Sequence, residues 1–148
     1  MNNLSQPDLT QHPPRSVRVR LGGYAHLPRL LDKARAVLAG KNGEYAYNCP
    51  LDQRFFTFTQ LNPDEMLAAI KAGKSDSEML AWVNERVRRQ LFEITAWSAW
   101  LEQYGPGDAD LHAWFASVLK TIAPQRTDIR SFADLLDLDD YVSYGGKG

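Results

Sequence analysis

Apolar residues Leu27, Leu30, Leu31, Ala34, Val37 and Leu38 recur at spacings of three and four, which predicts a helix over Leu27 to Ala39. Pro28 suits its first turn and Gly40 its stop. The same spacing returns further on. Asn62, Pro63 and Glu65 open a helix that runs to about Ala72 and stops at Gly73, and Ser75 with Glu78 forms a capping-box pattern before MLAWVNERVRR. Ile94, Trp97, Trp100, Leu101 and Tyr104 mark a stripe that Gly-Pro-Gly ends, Asp108 caps a helix through Leu111, Trp114, Phe115, Val118, Leu119 and Ile122, and Ser131 with Asp134 begins the acidic SFADLLDLDDY. The four tryptophans fall at apolar helix positions, which predicts core packing.

Two stretches read differently. Residues 1–25 hold Pro7, Pro13, Pro14, Gly22 and Gly23, and Val17, Val19 and Leu21 alternate with Arg18 and Arg20, the pattern of an extended arm. In LDQRFFTFTQ, Phe56 and Phe58 alternate as in a strand while Leu51, Phe55 and Phe58 recur as in a helix; the short helix is the preferred reading. Helices joined by connections of a few residues pack as near neighbours. The expectation is an all-α, compact single-domain bundle of five to seven short helices over residues 1–148, with an arm at 1–25 and a helical body at 26–148 that ends in an acidic segment.

Composition narrows the function classes. At 148 residues the chain is long enough for one core, and no run approaches the ~18 apolar residues of a membrane span. The polar start lacks a signal-peptide pattern, so a cytoplasmic location and no membrane partner are expected. One cysteine forms no internal disulfide, and His12, His26 and His112 are scattered, so no metal and no cofactor are expected. The net charge of −1 argues against nucleic-acid binding through overall charge. Its distribution is uneven. Residues 1–41 carry seven cations against Asp8 and Asp32, whereas residues 128–148 carry five aspartates against Arg130 and Lys147. Opposite charge draws the two ends together.

The stretch NGEYAYNCPLDQRFF is the most suggestive chemically. Thiols react as thiolates, which a helix start and a nearby cation favour, and Cys49 precedes Pro50 with Arg54 close by. Free cysteine is also a common small buried residue. Asp52 reads as a first-turn carboxylate paired with Arg54 or an arm arginine, or as a proton carrier for Cys49. Tyr45 and Tyr47 share a side in an extended segment, either to stack on a planar ligand or to roof the core. Arg18 and Arg20 share a face of the arm, fit either for an anionic ligand or for Asp137, Asp139 and Asp140.

The run PPRSVRVRLGGYAHLPRLLDKARAVLAGKNGEYAYNCPLDQRFF, with the end DLLDLDDYVSYGGKG, resembles a bacterial family defined only as a domain of unknown function, DUF5069. The residues that carry the resemblance include Arg18, Arg20, Gly22, Gly23, Tyr24, Lys33, Arg35, Gly43, Tyr45, Cys49, Asp52, Arg54 and the acidic end. It implies that the arm and the tail belong to one domain, and it implies no activity, cofactor or catalytic residue.

Three functions remain open from sequence. The first is a non-enzymatic domain that binds a small anionic ligand or a protein partner in a cleft lined by the arm, the Cys49 turn and the C-terminal segment, with Arg18, Arg20, Arg54, Tyr45 and Tyr47 as binding residues. The second is a thiol-dependent enzyme or redox protein that uses Cys49 as nucleophile and Asp52, or a histidine brought close by folding, as proton carrier. The third is a structural role with homo-oligomerisation through the Trp97 and Trp100 face.

Overall fold

The computed structural model describes residues 3–148, so the first two positions of the expected arm lie outside the described residues. Among the described residues the chain is mostly helical: α1 (Leu27–Leu38), α2 (Pro50–Thr59), α3 (Pro63–Lys71), α4 (Asp76–Arg86), α5 (Leu91–Gln103), α6 (Ala109–Ile122) and α7 (Phe132–Ser143). The only sheet among them is a two-residue hairpin, β1 (Arg20–Leu21) against β2 (Tyr24–Ala25). No helix is long and apolar enough to cross a membrane.

Local signals account for most boundaries. Asn62, Ser75, Asp108 and Ser131 each accept a first-turn amide with the side chain, as their positions in the sequence predict. Pro50 and the N-cap position of Cys49 favour the helical reading of LDQRFFTFTQ over the strand. Gly22 and Gly23 both have positive φ, 58° and 88°, which gives β1 and β2 a two-residue turn of the kind that hairpins favour.

The core forms around α1, which is buried on nine of its twelve positions. Leu27, Leu30, Leu31 and Ala34 meet Phe55 of α2, and Met66 of α3, Met79 of α4 and Ile94 of α5 belong to the same cluster. A side chain the size of Phe55, buried completely, contributes roughly 3 kcal/mol. Ser98 ties α5 to the hairpin: its hydroxyl accepts from the Ala25 amide at 2.8 Å and donates to the Gly23 carbonyl at 2.6 Å.

The arm departs from its expected geometry. Val17 is buried, but the Val19 amide turns back to the Ser16 carbonyl at 3.1 Å and leaves Val19 exposed, so the alternation Val17, Val19, Leu21 does not make an extended face. Hydrogen bonding within a turn outweighs the pattern here. The arm is nevertheless fastened at both ends, through the Leu9 amide to the Lys41 carbonyl and the His26 amide to the Val17 carbonyl.

The tryptophans also divide. Trp97 stacks on Phe58 at 4.9 Å and packs against the core, whereas Trp100 and Trp114 remain 45% and 51% exposed. In α6 only Phe115 is buried, because α6 lies at the margin of the bundle, packed mainly on α7. The expected core role of Leu111 and Trp114 does not hold.

Candidate functional site

Residues His26, Arg29 and Lys33 lie at i, i+3 and i+7, so they share one stripe along α1. Each meets a carboxylate brought by another helix. Arg29 pairs with Asp140 of α7 at 2.7 Å and Lys33 with Asp52 of α2 at 2.8 Å. His26 Nε2 lies 2.6 Å from the other oxygen of Asp52. On the adjacent side of α1, Asp32 pairs with Arg15 of the arm and Arg35 with Asp76 of α4. These pairs allow a helix with four charged residues to be buried, since a buried charge requires a partner.

Asp52 is fully buried and accepts from His26, from Lys33 and, at 3.3 Å, from the Cys49 amide. Burial alone pushes its carboxyl up, but His26 and the Lys33 ammonium outweigh that and hold it at about 2. The opposite balance applies to His26, where complete burial depresses the imidazole below its ordinary 6.5 against the pull of Asp52. A neutral His26 that donates from Nε2 is consistent with Asp52 as acceptor. It leaves Nδ1 buried without a partner, as is the hydroxyl of Tyr24.

Lys33 extends one step further. Its Nζ donates to the Ala46 carbonyl at 3.0 Å and lies 3.1 Å from Cys49 Sγ. Cys49 is half-buried at the N-terminus of α2, so His26, Asp52, Lys33 and Cys49 form a chain of contacts from the core outward. It ends at a cleft of about 560 Å³. The arm lines one side with Leu9 and Thr10, residues Gly43 to Ala46 and Cys49 a second, and Asp139, Ser143 and Tyr144 of α7 a third. Arg29 and Lys33 also reach the lining. Gly43, at φ 54°, passes the Leu9 carbonyl so closely that an added Cβ would lie 3.1 Å from its oxygen. Tyr144 fixes α7 to the arm by donating to that same carbonyl.

The carboxyl of Asp139 is raised above its usual range, first by burial and then by the neighbouring Asp140 charge. Tyr45 lies in the cleft wall with its ring 5.6 Å from the Arg29 guanidinium, and its hydroxyl donates to Asp140 at 2.7 Å. Among the described residues, no three His, Cys, Asp or Glu side chains cluster as a metal ion requires.

Of the residues singled out by sequence, Cys49, Asp52 and Tyr45 come together here. Tyr47 does not share the side of Tyr45: the Tyr45 amide turns back to Asn42, and the Tyr47 hydroxyl donates to the Pro63 carbonyl. Arg18 pairs with Asp134 and Asp137, so the attraction between the arm and the acidic end is realised there. Arg20 instead meets Glu102 of α5 at 2.9 Å. Arg54 stands over the Tyr104 ring at 5.8 Å, and the cation beside the thiol is Lys33. Asp52 accordingly pairs with Lys33 and His26, not with Arg54 or an arm arginine, because Lys33 projects from α1 directly over the start of α2.

Sequence reasoning passed over Arg29, Lys33 and His26 because charged residues between the apolar positions of α1 read as its solvent face. The fourfold spacing of Arg29 and Lys33 was the available signal. The curated proteins compared with this chain include none that matches it. The model of a family described as a domain of unknown function, DUF5069, matches residues 11–142, from the arm through most of α7, and the chain belongs to that family.

Proposed function

We propose that the protein binds a small molecule in the cleft between the arm, the Cys49 turn and α7, and reacts with it through the Cys49 thiolate. The observation that carries this reading is the Lys33 ammonium 3.1 Å from Sγ, at a helix N-terminus on a cleft wall. An ammonium group and a helix start beside a sulfur favour its thiolate, the nucleophilic form. Asp52 holds Lys33 in place and His26 holds Asp52, so both act through Lys33 and neither contacts the ligand. The reaction class is attack by sulfur on an electrophilic carbon or sulfur. A thiol kept reduced suits a cytoplasmic protein of one domain.

A second reading keeps the cleft and omits the chemistry: non-enzymatic binding of a small anionic ligand or a protein partner. Arg29 and Lys33 in the lining favour it. Their pairing with Asp140 and Asp52 weakens it, since an anion must compete with carboxylates already in place.

A panel of small electrophiles and anions separates the two. Under the thiol reading, an electrophile labels Cys49 in the folded protein faster than in the unfolded chain, and Cys49→Ser abolishes the labelling with the fold intact. Under the binding reading, anions raise the melting temperature of the wild type and of Cys49→Ser alike. Cys49 that labels only after unfolding contradicts the thiol reading.

A further inference from the structure

α5 presents an apolar stripe to solvent. Phe92, Ala96 and Trp100 fall at i, i+4 and i+8 and are all exposed, with Phe92 at 69%. Ala99 lies beside them, half-buried. Large residues stand at the two ends and small ones in the middle. This order reads almost the same in both directions about Ala96, which is what a two-fold contact of a helix with itself requires.

The two ends carry opposite charge. Before α5 come Arg88 and Arg89, both exposed; the only hydrogen bond of Arg88 is to the Glu85 carbonyl, and no carboxylate pairs with it among the described residues. After α5 the Gly-Pro-Gly turn leads to Asp108 and Asp110, exposed and without a cationic partner among the described residues. The apolar surface continues at this end through Tyr104, stacked on Trp100 at 4.5 Å, to Phe132 and the exposed Trp114.

We propose that this face is the interface of a homodimer in which α5 packs antiparallel on α5 of a second copy, with Ala96 near the two-fold axis. Phe92 then meets Trp100 of the second copy, and Ala96 meets its equivalent, where small side chains allow a close approach. Arg88 precedes Ala96 by eight residues, about 12 Å along a helix. The two-fold places it near position 104 of the second copy, beside the turn that carries Asp108 and Asp110. Each copy thus offers a basic end to an acidic end twice over. The acidic end also argues against an anionic membrane surface as the occupant, since such a surface selects for cations around the apolar face.

The test is mass against concentration by sedimentation equilibrium. The wild type moves from 16.7 kDa toward twice that value as concentration rises. Ala96→Glu sets two carboxylates across the axis and raises the dissociation constant at least about tenfold. Its melting temperature at dilute concentration stays that of the wild type, because the position is exposed in the single chain. Arg88→Glu weakens the dimer, and Arg88→Glu combined with Asp110→Lys restores it. A wild type that stays at 16.7 kDa at the highest soluble concentration overturns the proposal. So does a dimer indifferent to Ala96→Glu, and so does growth beyond two copies, which indicates a head-to-tail contact.

Discussion

Two helices of this protein invert the usual relation between polarity and burial. α1 carries Arg29, Asp32, Lys33 and Arg35 and is buried on nine of twelve positions; α6, rich in Ala, Leu, Trp and Val, buries only Phe115. In α1 every charge has found an opposite one, contributed by the arm, α2, α4 and α7. Ordinary stability does not demand this, because well-packed apolar residues of similar volume often do as well as a buried ion pair. In α6 and the adjoining face of α5, apolar surface that would stabilise a core is left in water. The first region is built around paired charge and opens on a thiol. The second is a surface with nothing of its own chain to cover it.

The sharpest way to break the comparison is to remove one partner inside α1's network. Asp52→Ala strands Lys33 in a buried site and is expected to cost about 3–5 kcal/mol in a denaturant titration. The double variant Lys33→Met with Asp52→Leu recovers part of that loss, since both charges leave together. A loss below about 1 kcal/mol for Asp52→Ala would mean that the pairing contributes little, contrary to this account.

Proton linkage comes next in size. In the folded chain His26, facing Asp52, Lys33 and Arg29, takes up its proton only at a pH below its ordinary value of 6.5, whereas the unfolded chain takes it up near 6.5. The stability it contributes is therefore complete above about pH 6.5 and declines as pH falls, by at most about 1.4 kcal/mol per pH unit. His26→Gln is expected to flatten this slope between neutrality and mild acid. Asp52, depressed to about 2, adds a separate loss that begins below its ordinary 3.8. Asp139 works in the opposite sense: its raised carboxyl adds stability as pH falls, and that contribution is lost as pH rises through its folded value.

Smaller effects are expected at the surface. Trp114→Gln should change the stability of the dilute single chain by about 1 kcal/mol or less, despite the size of the side chain, because half of it is already in water. Arg20→Ala removes a partly exposed pair with Glu102 and should cost about 0.5 kcal/mol. Equal losses for Arg20→Ala and Asp52→Ala would erase the distinction between the two regions.

Much of the fold was legible because helix signals are local. The caps at Asn62, Ser75, Asp108 and Ser131 and the stops at Gly40 and Gly73 depend on neighbours within four residues, and the helices begin and end near them. Amphipathic spacing was a weaker guide to burial. It assigns each helix an inner face, but it does not say whether a neighbour is available to cover it, and α6 has few neighbours. It reads charged positions as solvated, which fails for α1. The partners of Arg29 and Lys33 stand 111 and 19 residues away in sequence, and nothing local announces them. Cys49 and Asp52 were visible as chemistry because they sit at a helix start; the cation that joins them was assigned to Arg54, since proximity along the chain was the only guide.

The most direct measurement is the rate at which a small alkylating agent modifies Cys49 at neutral pH in the wild type, in Lys33→Met and in the unfolded chain. This account predicts that the folded wild type reacts faster than the unfolded chain and that Lys33→Met, still folded by circular dichroism, loses the difference. A folded wild type that reacts more slowly than the unfolded chain, or a Lys33→Met variant that reacts as fast as the wild type, would contradict it.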